Sequence, residues 1–313
     1  MKVHTFVVCA GRWLLLVAAA CVALLATMLP AQVTVAQLSD THIGDKHAPH
    51  AADNLRQAVE MINDRHPDAV ILSGDIGENP EAWDEARSIL KKLKSPLYYA
   101  PGNHDVHSND VERYRRVFGK DYYSFDVKNV TFVVIDSQLL GNFDIYDAKK
   151  PEPLPPQTED ESERMMAWLE GLRDSGDVNK DQAKKDDGRK DDHRNDEVKS
   201  DRNDQARGRI MIGVQHIPAF CDEDFPKDTK PYWVVNDPYR SREMKALHDL
   251  GIKDMLVGHW HNGRLFEKEG ITWHVAPATS WLPWGGELGF AMHTISPNGD
   301  VHTEFVMLPG ARP

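Results

Sequence analysis

The sequence predicts an α/β fold with α+β character in its second half, and two observations carry that reading. Between residues 33 and 100, apolar runs of strand length alternate with segments of helical period. This βαβαβ order implies parallel strands joined by helices, with ligands gathered at the carboxyl ends of the strands. Toward the C-terminus, short strand-like runs follow one another without helical segments between them. That half should be more antiparallel and should form a second sheet packed on the first.

The elements follow in order. Val33 to Ser39 reads as a strand, and His50 to Arg65 as a helix that places Leu55, Val59 and Ile62 on one face. Ala69 to Ser73 is a short apolar run of the kind buried on both faces. A helix over Glu81 to Leu93 and a strand over Leu97 to Ala100 complete the first half. Later come a strand at Val130 to Asp136, a helix around Ser162 to Arg173, and strands at Ile210 to Val214, Asp254 to Val257, Ile271 to Ala276, Phe290 to Ser296 and Val301 to Met307.

Two segments stand outside this pattern. Lys2 and Arg12 precede an uncharged apolar run, Trp13 to Leu29, followed by Pro30-Ala31, as in a secretory signal. Residues 1–31 are therefore expected to direct export to the periplasm or the extracellular space and to be removed. The alternative is an anchor formed by residues 13–29, and contact with a membrane is expected only if that segment is retained. The second segment, residues 174–209, has 11 acidic and 10 basic residues and only four apolar ones, so it should be a disordered, solvated insertion. The remainder of residues 32–313 is the length of one domain. The chain carries 37 Lys+Arg against 49 Asp+Glu, a formal charge of −12, so nucleic acid is not an expected partner. Of the three cysteines, Cys9 and Cys21 lie in the N-terminal segment, so Cys221 has no partner for a disulfide once that segment is removed.

Metal-ligand side chains recur directly after the predicted strands. Asp40-Thr-His42 follows the first strand, Gly74-Asp75-Ile-Gly-Glu78 the second and Gly102-Asn103-His104-Asp105 the third. Gln215-His216 follows Val214, and Gly258-His259-Trp-His261 follows Val257. Asp and His ligate Zn, Mn or Fe, and one carboxylate can bridge two ions. The glycines at 74, 102 and 258 should let the backbone turn so that the next side chain points back over the strand ends. Any one of these motifs has an ordinary explanation as a cap, a turn or a packed histidine. Five in order, each at a strand end, do not.

This ordered set resembles the calcineurin-like metallophosphoesterase superfamily. Asp136-Ser-Gln138, Gln215-His-Ile-Pro218 and Gly258 to Gly263 are most similar to its single-domain protein phosphatase branch. The resemblance implies a four-layer αββα sandwich and two divalent or transition-metal ions (Mn, Fe or Zn). It implies that Asp40, His42 and His261 hold one ion, that Asn103, His216 and His259 hold the other, and that Asp75 bridges them. It makes His104 a catalytic residue and not a ligand, with Glu78 orienting its ring; Asp105 could do the same. Purple acid phosphatases carry Tyr where Glu78 stands, so a purple iron site is not expected. The implied activity is hydrolysis of phosphate monoesters by a metal-bridging hydroxide. A phosphodiesterase acting on cyclic nucleotides or phospholipid head groups is one alternative, and a metal-bearing binding protein is another. Trp281, Trp284 and the loops at 142–156 and 220–239 are candidates for the cleft walls.

Overall fold

The computed structural model describes residues 32–106, 111–175, 209–227 and 230–313. The expected signal at 1–31 lies outside these residues, as does nearly all of the expected insertion. Two sheets organise the fold. The first has the order β11-β10-β1-β2-β3, from strands β1 (Val33–Leu38), β2 (Ala69–Ser73), β3 (Leu97–Ala100), β10 (Gly289–Ile295) and β11 (Val301–Met307). The second has the order β4-β5-β6-β7-β9-β8, from β4 (Tyr123–Val127), β5 (Val130–Val134), β6 (Ile210–Val214), β7 (Asp254–Val257), β8 (Arg264–Lys268) and β9 (Ile271–Val275).

Alternation along the strands builds four layers. On β2, Ala69 and Ile71 join Phe132, Val134, Ile212 and Leu256 in a core between the sheets. Val70 and Leu72 face the other way, into a cluster with Leu55, Val59 and Ile62 of α1 (Ala51–Arg65) and Trp83 and Ile89 of α2 (Pro80–Leu90). On the second sheet, Val133 and Val257 face the cluster that holds Met165 and Leu169 of α4 (Pro156–Ser175) and Leu247 of α5 (Tyr239–Leu250). The central strands thus bury one face on the opposite sheet and the other on helices, an αββα sandwich. The start of α2 is fixed locally: the Asn79 side chain accepts from the Ala82 N–H at 2.9 Å, and Pro80 occupies the first helical position.

The last strands pair antiparallel as expected, β8 with β9 and β10 with β11, but the second sheet itself departs from expectation. It is parallel through β5, β6, β7 and β9, and only the edge strands β4 and β8 run antiparallel. The unforeseen helix α5 supplies the crossover that β6 and β7 need for parallel pairing. Antiparallel character enters instead through β10 and β11, which return to the first sheet beside β1. A short helix, α3 (Val111–Phe118), and strands β4 and β8 are also additions to the predicted elements.

Candidate metal centre

All seven expected ligands meet at the carboxyl ends of the strands. Asp40, His42, Asp75 and Asn103 come from the first sheet, and His216, His259 and His261 from the second; all are buried. Two groups share one carboxylate: Asp40, His42, Asp75 and His261 form one, and Asp75, His216 and His259 the other. Five of these residues, Asp40, His42, Asp75, His259 and His261, have positive φ. Left-handed backbone in a non-glycine residue costs on the order of 1–3 kcal/mol, and such strain clusters at functional sites. Here it turns consecutive loop side chains back over the same point.

The glycines act differently from expectation. Only Gly74 of the three has positive φ. A Cβ would lie 2.4 Å from the His216 ring at Gly74, 2.2 Å from Asp75 Oδ1 at Gly102 and 2.0 Å from Ser39 Oγ at Gly258. Close approach therefore excludes a side chain at all three positions, and a special turn is required only at the first.

Each imidazole has one ring nitrogen committed outward to a group that can only accept. His42 Nδ1–H donates to Glu78 Oε1 at 2.8 Å, His216 Nδ1–H to the Ser73 carbonyl at 2.7 Å, His261 Nδ1–H to the Trp281 carbonyl at 2.8 Å and His259 Nε2–H to the Tyr232 carbonyl at 3.0 Å. The inner nitrogens are thereby the ones left to face the centre, the arrangement that outer partners impose on metal-binding histidines. His42 Nε2 and His261 Nε2 face each other at 3.1 Å, His261 Nε2 lies 3.3 Å from Asp40 Oδ1, and His216 Nε2 lies 3.1 Å from Asp75 Oδ2. Asp40 Oδ1, Asn103 Oδ1 and His216 Nε2 are buried with no hydrogen-bond partner among the described residues. Acceptors aimed at acceptors in a buried site fit divalent cations, and the Asp/His/Asn set suits Mn, Fe or Zn.

The electrostatics agree. Burial alone would raise the Asp40 carboxyl, but His261 and His216 hold it at about 2. Burial would lower His216, yet Asp75 and Asp40 hold it up at about 9, so without a cation its Nε2 takes up a proton that a metal ion would displace. His259 is pushed down to about 3 by burial and by His216. Asp75 is held well below the usual carboxylate range, as the neighbouring histidines outweigh burial.

His104 stands at the edge of this centre, its ring 4.6 Å from that of His42 and edge-on to it. Its Nδ1–H donates to Glu78 Oε2 at 2.9 Å. Glu78 therefore joins an expected ligand to the expected catalytic histidine. Glu78, His42 and His104 lie close enough to be a third ligand group, but the carboxylate already accepts from both rings, which makes it an orienting group. Asp105 does not share that role: its carboxylate accepts from the N–H of Ile76 and of Gly102, both at 2.9 Å, and ties the loops after β2 and β3 together.

The centre opens into a cavity of about 670 Å³ walled by Phe143, Tyr146, Tyr232, Trp233 and Trp281. Trp284 packs beneath, against Phe225 and Trp233, and the buried Trp260 braces the metal loop through its Nε1–H to the Trp233 carbonyl at 2.9 Å. A cavity of about 870 Å³ beside β3 and β4 contains none of the ligand groups, and its Arg115 is paired with Asp121 and Glu161.

The chain is 27% identical over 223 residues to the serine/threonine-protein phosphatase CPPED1 of Mus musculus, a match covering 66% of this chain and 57% of that one. It is 23% identical over 259 residues to a probable cyclic nucleotide phosphodiesterase of Fibrobacter succinogenes, covering 78% and 79%. Among solved structures, the dimetal phosphatase of Danio rerio LOC 393393 superposes with a TM-score of 0.55 at 14% identity, over 88% of this chain and 99% of that one. The family described as calcineurin-like phosphoesterase matches residues 33–263, most of the sandwich and all seven expected ligands. The chain belongs to the calcineurin-like phosphoesterase family.

Proposed function

We propose that this chain hydrolyses phosphate monoesters with two metal ions, one on Asp40, His42 and His261 and one on Asn103, His216 and His259, with Asp75 shared. The observation that carries the reading is the facing pair of lone pairs on His42 and His261, 3.1 Å apart beside two carboxylates. When bound, two divalent ions supply Lewis-acid activation of water and the positive charge that receives the ester phosphate. The chain's own residues do the rest. Glu78 fixes the His104 ring and holds its pKa up at about 10 together with Asp75, against burial. His104 lines the cavity, and with Nδ1–H committed to Glu78 its Nε2 would be the proton donor. As hydroxide bonds to phosphorus, the bond to the leaving oxygen breaks and that oxygen takes the proton from His104, which regains one from solvent. The aromatic walls exclude water and receive the organic part of the ester.

The relatives include a phosphodiesterase as well as phosphatases, so rates on p-nitrophenyl phosphate and bis-p-nitrophenyl phosphate decide the ester class. Metal-free protein should take up about two Mn, Fe or Zn ions per chain, and uptake of at most one would overturn the reading. Asp75→Asn should weaken both ions by more than the roughly 10–100-fold lost when only an outer partner is removed. The apolar run at 13–29 supports export; an exported protein whose N-terminal sequence begins near Gln32 is the expected outcome, and retention of residues 1–31 would point to the anchor.

A further inference from the structure

We propose that Tyr232 is a positioning residue for one of the two ions. It rests on the metal reading above and adds a residue to it. Tyr232 lies on the short 3₁₀ helix Pro231–Trp233, between β6 and α5, far in sequence from every ligand it touches. Its hydroxyl oxygen accepts from Asn103 Nδ2–H at 2.9 Å. An amide has one oxygen and one nitrogen, so anchoring the nitrogen on Tyr232 leaves Oδ1 as the atom for the cation. That Oδ1 is buried and has no hydrogen-bond partner among the described residues. If the amide were turned over, two N–H groups would face the ion and no acceptor would. The same residue's carbonyl accepts from His259 Nε2–H at 3.0 Å, which leaves Nδ1 as the donor atom of that imidazole. Through its side chain and its backbone, Tyr232 sets both Asn103 and His259, and neither contact involves the ligands of the other ion.

Its own place is fixed from the metal loop. Trp260, between His259 and His261, donates to the carbonyl of Trp233, the next residue after Tyr232. Asn236 Nδ2–H donates to the carbonyls of Pro231 and Val234 at 2.8 and 2.7 Å, which closes the segment on itself. The Tyr232 ring packs on His259 at 4.8 Å and on Trp233 at 4.9 Å between centroids. A residue that only packed would act through those ring contacts, which phenylalanine keeps.

Tyr232→Phe therefore isolates the hydroxyl. It leaves the carbonyl bond to His259 and the ring packing in place and removes only the partner of the Asn103 amide. Titration of metal-free protein with Co²⁺, followed by calorimetry and by visible absorption, should show two binding steps in the parent. In Tyr232→Phe one step should weaken by roughly 10–100-fold, the usual loss when an outer partner is removed, and the other should stay unchanged. The unchanged step also reports that the site remains folded. Glu78→Gln, which disturbs His42, should weaken the opposite step. Two unchanged steps in Tyr232→Phe, or loss of the same step in both variants, would overturn the positioning role while leaving the metal reading intact. Fewer than two steps in the parent would overturn both.

Discussion

Glu78 divides its two oxygens between His42 and His104, and burial of this carboxyl is outweighed by those two hydrogen bonds, which hold it at about 2. A group so placed stays ionised at any working pH and fixes the tautomer of both rings. If His104 gives its proton mainly in the transition state, His104→Ala should keep both ions while kcat falls by roughly 10²–10⁴-fold on an alkyl phosphate. The loss should be smaller with p-nitrophenyl phosphate, whose leaving oxygen needs little protonation. Metal analysis and rates on the two esters check this; loss of an ion would make His104 a ligand, and an unchanged alkyl-ester rate would remove it from the chemistry. The residue types were legible because only a few side chains bind such ions and each follows a strand. The partner of His104 was not, because Glu78 and Asp105 are both near in sequence and only side-chain direction separates them. Tyr232 fell inside a loop expected to wall the cleft, but its tie to the centre was illegible because it is 129 residues from the Asn103 amide it orients.

Helix α5 shows how an element escapes a periodic reading. Its buried residues are Glu243, Met244, Ala246 and Leu247, so a carboxyl stands where an apolar residue would announce the inner face. Neither oxygen of Glu243 makes a well-aligned hydrogen bond among the described residues, although Gln215 stands close by. Burial pushes its pKa up to about 8, with Gln215 and Arg240 opposing. The folded state thus keeps a proton that an unfolded carboxyl, at about 4.5, gives up. Between those two values the native state binds more protons, so this group makes stability fall as pH rises. Glu243→Gln removes the titration, and its constant offset is not the test, since the amide also changes the hydrogen bonding at this position. The difference between variant and parent is the readout: from pH 5 to pH 8.5 it should move in the variant's favour by on the order of 3 kcal/mol. Urea midpoints at the two pH values measure it, and a pH-independent difference would show that Glu243 is not held protonated. The strands were easier to read than this helix because their pattern needs only runs of four to seven residues, whereas α5 had to be recognised through a polar residue on its buried side.

The metal centre straddles the sandwich, with ligands from both sheets, so its geometry depends on how the sheets are held together. A buried row of polar side chains crosses between them just beneath the site. Gln37 of β1 donates through Nε2 to Ser73 Oγ at 2.8 Å and to the Val257 carbonyl at 3.0 Å, which turns its Oε1 toward His293 Nε2 at 2.9 Å. His293 Nδ1 and His274 Nδ1 both meet Thr303 Oγ1, at 2.8 and 2.7 Å, and His274 Nε2 meets Asp254 Oδ1 at 2.9 Å. β1, β10 and β11 of one sheet are thereby tied to β7 and β9 of the other. The apolar alternation that revealed two layers in the sequence says nothing of this row, because Gln37 and His293 occupy inward positions that pattern alone assigns to apolar side chains. With Gln37 offering an acceptor, His293 Nε2 carries the hydrogen and Nδ1 accepts from Thr303. A second proton on His293 would break that contact. Burial, and then His274, press its pKa well below the ordinary value. An unfolded histidine takes up a proton near pH 6.5 and the native one does not, so stability is full above that pH and falls as the solution is acidified below it. His293→Gln keeps a neutral side chain without the titration. Between pH 7 and pH 5.5 the parent should lose about 1 kcal/mol more than the variant, whatever the offset at pH 7. Metal-free protein unfolded in urea at both pH values tests this, because the ligand histidines titrate alike in the two proteins and cancel. An equal loss in both would mean that His293 accepts its proton in the folded state and that the row between the sheets tolerates acid.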